Sequence, residues 1–61
     1  MKVGDKVRYA DGYLKARKQE WDGTTGTVID IVPLCSTNVV TVAWKGNSVS
    51  TLFARNLQVV D

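Results

Sequence analysis

Two β-branched runs dominate the middle of this chain, Thr27-Val28-Ile29-Asp30-Ile31-Val32 and Val39-Val40-Thr41-Val42-Ala43-Trp44. Side chains branched at Cβ crowd a helical turn but pack well on a pleated surface, so both segments predict strands. Gly26 opens the first run, and Pro33 should stop it, because proline has no amide hydrogen to give a central ladder. The connector from Leu34 to Asn38 is rich in small polar residues, and Val40, Val42 and Trp44 share the parity expected to face a core. Upstream, Val3, Val7 and Tyr9 share one parity against Lys6 and Arg8, which predicts a half-buried first strand. Downstream, Lys45-Gly46-Asn47-Ser48 suits a two-residue hairpin, since Gly-Asn can take positive-φ positions, and Ser48 to Leu52 then reads as strand four. Phe53 to Asn56 has room for one 3₁₀ turn but not for a stable α-helix, and Leu57, Val59 and Val60 make a short closing strand. Between the first two strands, Ala10 to Thr25 reads as a long loop with room for a helical turn and no true helix. The expectation is an all-β chain of five antiparallel strands.

At 61 residues the chain is read as one domain, 1–61, and at 44% hydrophobic it is too apolar to stay disordered. So short a chain buries only about 60% of its unfolded surface, which leaves assembly into a homo-oligomer open. One cysteine, Cys35, cannot form an internal disulfide, and without histidine no ordinary zinc site can be built, so neither metal nor cofactor is expected. Catalysis also lacks its parts. The carboxylates Asp5, Asp11, Glu20, Asp22, Asp30 and Asp61 form no recognisable dyad, and Cys35 has no nearby histidine or cation to activate it. Asp5 reads instead as setting the turn into strand one, and Asp22-Gly23 as loop-end turn chemistry. Lys2, Asp5 and Lys6 interrupt the apolar residues near Met1, and no stretch approaches the roughly 20 apolar residues of a membrane span. A cytoplasmic protein without a membrane role is expected.

The strand order, with its long first loop, tight hairpin and single turn before the last strand, fits a small, partly open barrel. In this it resembles the Src-homology-3-like barrel superfold. The resemblance rests on Val3-Gly4-Asp5-Lys6-Val7-Arg8, Gly26-Thr27-Val28, Val40-Thr41-Val42-Ala43-Trp44 and Asn56-Leu57-Gln58-Val59-Val60, and it covers most of the chain. The chain is also similar to the plasmid-borne type II dihydrofolate reductases, through Gly4-Asp5-Lys6-Val7-Arg8, Trp21-Asp22-Gly23, Cys35-Ser36-Thr37-Asn38 and the spacing from Val49 to Leu57. In that family a Val-Gln-Ile-Tyr run on the fourth strand lines the pore of a homotetramer and holds folate and the nicotinamide cofactor. Here the same register reads Val49-Ser50-Thr51-Leu52, without the glutamine amide or the phenol, and the first loop is longer. The resemblance therefore implies shared ancestry or oligomer habit more than reductase activity, and no enzyme is expected.

Six of the eight Lys and Arg residues precede Glu20, interleaved with Tyr9, Tyr13 and Trp21. Cations can neutralise phosphates while aromatic rings stack on bases, yet Tyr, Trp and Arg are equally the residues of protein-interface hot spots. The net charge of +2 decides little, and Asp11, Glu20 and Asp22 dilute the field of the loop. A bland alternative leaves Trp21 capping the barrel end and the Lys15-to-Lys18 run as a solvated face. Trp44 continues the inward parity and reads as core, whereas Arg55 is free to pair with Asp30 or Asp61 or to reach a ligand. The expected role is a non-catalytic interaction module, in the manner of a small accessory protein such as a phage or mobile-element product. Its expected contact residues are Tyr13, Lys15, Arg17, Lys18, Trp21, Lys45 and Arg55, with a protein partner first and nucleic acid as the alternative.

Overall fold

Both β-branched runs are strands, paired with each other over their full length. In the computed structural model, which describes residues 1–60, the chain runs β1 (Lys6–Tyr9), α1 (Asp11–Ala16), β2 (Gly26–Leu34), β3 (Thr37–Trp44), β4 (Ser48–Phe53), a 3₁₀ turn (Ala54–Asn56) and β5 (Leu57–Val59). All pairings are antiparallel, in the order β4-β3-β2-β1-β5. The sheet is not closed: β4 and β5 are its two edges.

The core follows the parity of the strands. Val7, Val28, Val40 and Val42 are at most 1% exposed, Trp44 and Leu57 complete the cluster, and Tyr9, Ile31, Leu52 and Ala54 pack against it. Burying each of the four valines stabilises the fold by roughly 1.5–3 kcal/mol before chain entropy is charged against it. The register explains one irregularity. A bulge between Val28 and Asp30 inserts one extra residue, so Val28 and Ile31, three apart in sequence, face the core opposite Val42 and Val40. Gly26 begins β2 at a close approach to β3. A Cβ there would stand 2.5 Å from Cγ1 of Val42 and 2.9 Å from the carbonyl oxygen of Ala43.

Several expectations need correction. β1 starts at Lys6, and Val3 is exposed, because the chain before it is turned by Gly4 at φ +98° and clamped by paired Lys2–Asp5 hydrogen bonds. These bonds bear out the turn role of Asp5. Pro33 does not stop β2, which continues to Leu34 opposite Thr37. β1 pairs with β2 only at Thr27 and Gly26, so the flank of β2 at Pro33 has no neighbour to which an amide hydrogen is owed. The connector shrinks to Cys35-Ser36, with Cys35 at φ +54°. The β3–β4 reversal has three residues, Lys45 to Asn47, in which Gly46 and Asn47 both take positive φ as expected. Finally, the first loop contains a real helix, α1, of six residues.

Candidate functional site

The segment between β1 and β2 carries most of the expected contact residues, and α1 sets their positions. Leu14 is buried and pins the helix to the body of the protein. Past its C-terminus, Gln19 N–H donates to the carbonyl of Leu14 at 2.9 Å and Lys18 N–H to that of Lys15 at 3.1 Å. This is the 6→1 and 5→2 pattern that closes a helix with a left-handed residue, and Lys18, at φ +55°, fills the place glycine usually takes.

Three aromatic rings stack across the junction of α1 with the sheet. Tyr9 lies between Tyr13 and Trp44, with centroids 4.8 and 4.7 Å away and planes 21° apart in both pairs. Burial, with a smaller push from Tyr13, raises the Tyr9 phenol above its ordinary pKa, while Arg17 opposes the shift. Arg17 rests over the ring of Tyr13 at 5.3 Å and donates to its hydroxyl at 3.2 Å. Trp44 lies in the core as expected. Its indole N–H is buried without an acceptor, an omission that normally costs about 1–3 kcal/mol and that packing of the ring must offset.

Trp21 stands apart from this stack and remains 42% exposed. Two contacts fix it. Its indole N–H donates to the Thr24 carbonyl at 2.9 Å, and the Arg8 guanidinium lies 4.1 Å from its ring centroid. Arg8 is itself held by Asp11 at 2.6 Å, the one ion pair among the described residues. The loop after Trp21 is set by Asp22, which accepts from Thr24 N–H at 2.9 Å, and by Gly23 at φ +92°. Hydrogen bonds from Thr24, its side-chain hydroxyl first and its backbone N–H second, hold the Asp22 carboxyl below its ordinary pKa, and the turn they close bears out the role expected of Asp22-Gly23. Trp21, Leu14, Asp11 and Glu20 border an open depression of about 530 Å³.

The structure thus joins Tyr13 to Arg17 and places Trp21 beside α1. Lys15 lines the same depression, and Lys18 is exposed at the helix end. Lys45 is exposed on the β3–β4 turn, directly after the stacked Trp44. Arg55 does not join them: it lies 4.9 Å over the ring of Phe53 and makes no ion pair with Asp30, while Asp61 lies outside the described residues. Arg8 and Tyr9 hold the site together, although the sequence marked them only as part of a cationic and aromatic composition. The signal for Tyr13 with Arg17 was their i,i+4 spacing; Arg8 with Trp21 has no local signal. Among the described residues no group of acidic, cysteine or histidine side chains could hold a metal, and no helix is long and apolar enough to cross a membrane. No family model matches the chain, and no curated protein or solved structure matches it.

Proposed function

We propose that the protein is a non-catalytic interaction module that binds a protein partner through α1, Trp21 and the Lys45-to-Asn47 turn. One observation carries the reading: Trp21 is exposed yet held in one orientation, beside an open depression with an apolar floor residue, Leu14. A large ring presented without freedom to lose is the type of side chain that dominates protein interfaces. Base stacking is less well served. Tyr9 is covered on both faces, and Tyr13 and Trp21 each have a guanidinium on one face, so few free aromatic platforms remain for a nucleic acid. The left-handed Lys18 adds support, because a lysine there costs about 1 kcal/mol that glycine would not, as residues kept for contact often do. The sheet order, the long segment between β1 and β2 and the 3₁₀ turn before β5 support reading the fold as a partly open barrel of the Src-homology-3-like kind.

Capture from lysate with and without nuclease tests the proposal, using wild type, Trp21→Ala and a combined Lys15→Ser, Arg17→Ser and Lys18→Ser variant. A nuclease-resistant partner whose affinity falls about thirtyfold with Trp21→Ala, the weight of a hot-spot side chain, is the expected result. Complete loss of bound material on nuclease treatment would make this a nucleic-acid binder. A partner retained equally by all three proteins would place the contact surface elsewhere.

A further inference from the structure

We infer that the free edge of β4 and the apolar groove beside it take up an extended, acidic segment of a different protein as an added strand, its carboxylates meeting Arg55 and Lys45. The two edges of the sheet are unlike. β5 has three residues, whereas β4 has six and carries no proline, no bulge and no charge from Ser48 to Phe53. Every second residue of an edge strand turns its N–H and C=O outward, so β4 presents about three donors and about three acceptors over roughly 20 Å. An extended peptide backbone is the ligand that matches such a row.

The side chains beside the edge are apolar and contiguous. On the outer face Phe53 lies opposite Val39, and Val39 opposite Val32, which makes one row across three strands. Val32 and Leu34 are each 50% exposed, and Phe53 is 38% exposed. Apolar side chains scattered singly over a surface need no explanation, but Leu34, Val39, Thr51, Leu52 and Phe53 together border a depression of about 250 Å³ at the edge itself. An added strand sets alternate side chains on this face, next to Thr51 and Phe53, and one aliphatic residue among them would enter the depression.

Charge selects the occupant. The Arg55 guanidinium lies 4.9 Å from the ring centroid of Phe53, which walls the depression, and Lys45 is exposed on the turn that leads into the other end of β4. Neither makes an ion pair among the described residues. The one carboxylate in the five strands, Asp30, lies opposite Thr41, two strands in from the edge. A cation near each end and no anion along the strand favour an acidic segment. The same charges disfavour a second copy, which would bring Lys45 and Arg55 toward their own kind. A nucleic acid would satisfy the two cations and leave the apolar row and the backbone groups unmatched. No residue of α1 lines this depression, nor does Trp21, so the inference does not rest on the surface proposed above.

The probe is a phage-displayed library of random peptides of about nine residues, long enough to cover β4 and its flanks, selected on the wild-type chain. Enriched peptides should alternate aliphatic with polar residues and carry Asp or Glu near their ends. Fluorescence anisotropy with the most enriched peptide then compares variants, each checked for folding by circular dichroism. Leu34→Asp should weaken binding by about tenfold or more and Arg55→Glu by about fivefold, while Trp21→Ala should leave it unchanged. N-methylation of the peptide separates a ladder from apolar contact alone. Methylating the alternate residues whose N–H groups face β4 should abolish binding, and methylating the other set should not. No enrichment over the bare support would overturn the inference, as would binding that falls with Trp21→Ala and survives Leu34→Asp and Arg55→Glu. Equal tolerance of both N-methylated sets would overturn it too. So would a chain that light scattering shows to be a dimer and that excludes the peptide, since the edge would then belong to a second copy.

Discussion

Gly26→Ala adds one methyl group at the point where β2 meets β3, and the structure says it cannot be accommodated. Its carbon would lie 2.5 Å from Cγ1 of Val42, 2.8 Å from Cε3 of Trp44 and 2.9 Å from the Ala43 carbonyl oxygen, where carbon contacts normally settle near 3.5–4.0 Å. None of the three can retreat cheaply. Val42 is fully buried, Trp44 is stacked on Tyr9, and the Ala43 oxygen belongs to the backbone of the β2–β3 pair. Overpacking of this kind costs about 1–3 kcal/mol, and three contacts at once place it toward the upper end. Loss of glycine's freedom in the unfolded chain returns about 0.4–1 kcal/mol, so a net loss of about 2 kcal/mol is expected. For a domain this size that lowers Tm by roughly 8–16 °C. Gly12→Ala is the matched control. It lies in α1 with open space around its Cα, so the same chemical change should stabilise by up to about 1 kcal/mol. Urea unfolding followed by tryptophan fluorescence, at one low protein concentration, reads both. A Gly26→Ala midpoint equal to or above wild type would refute the packing described for β2 and β3.

Val42→Ala should cost about 1–3 kcal/mol in the same assay, whereas Val3→Ala, at a site 60% exposed, should stay within about 0.5 kcal/mol; equal losses would contradict the assigned faces. The raised pKa of Tyr9 makes a statement about pH. The folded chain holds the phenol proton longer than the unfolded chain, so this contribution is fully present below the unfolded value near 10 and is lost as pH rises through the folded value. Absorbance titration should show a late tyrosine ionisation that Tyr9→Phe removes; a late step that survives Tyr9→Phe would refute the assignment.

The strands were legible where the sequence carried two signals at once. β3 combines β-branching with parity, and Val40, Val42 and Trp44 are all buried as that parity implies. In β2 the bulge at Ile29 was invisible, because it shows only when Ile31 must meet Val40 across the ladder. Val3 misled because its parity with Val7 assumes an unbroken strand, and the Gly4 turn lies between them. α1 was missed for a physical reason. Six residues beginning Asp-Gly have no intrinsic helical stability, and what holds them is tertiary: buried Leu14, the Tyr9–Tyr13 stack and the closure at Lys18. The contact residues were legible as a composition of cations and rings, but not as an arrangement. Nothing local says that Arg8 would lie on Trp21, or that Tyr9 would spend both faces inside the fold.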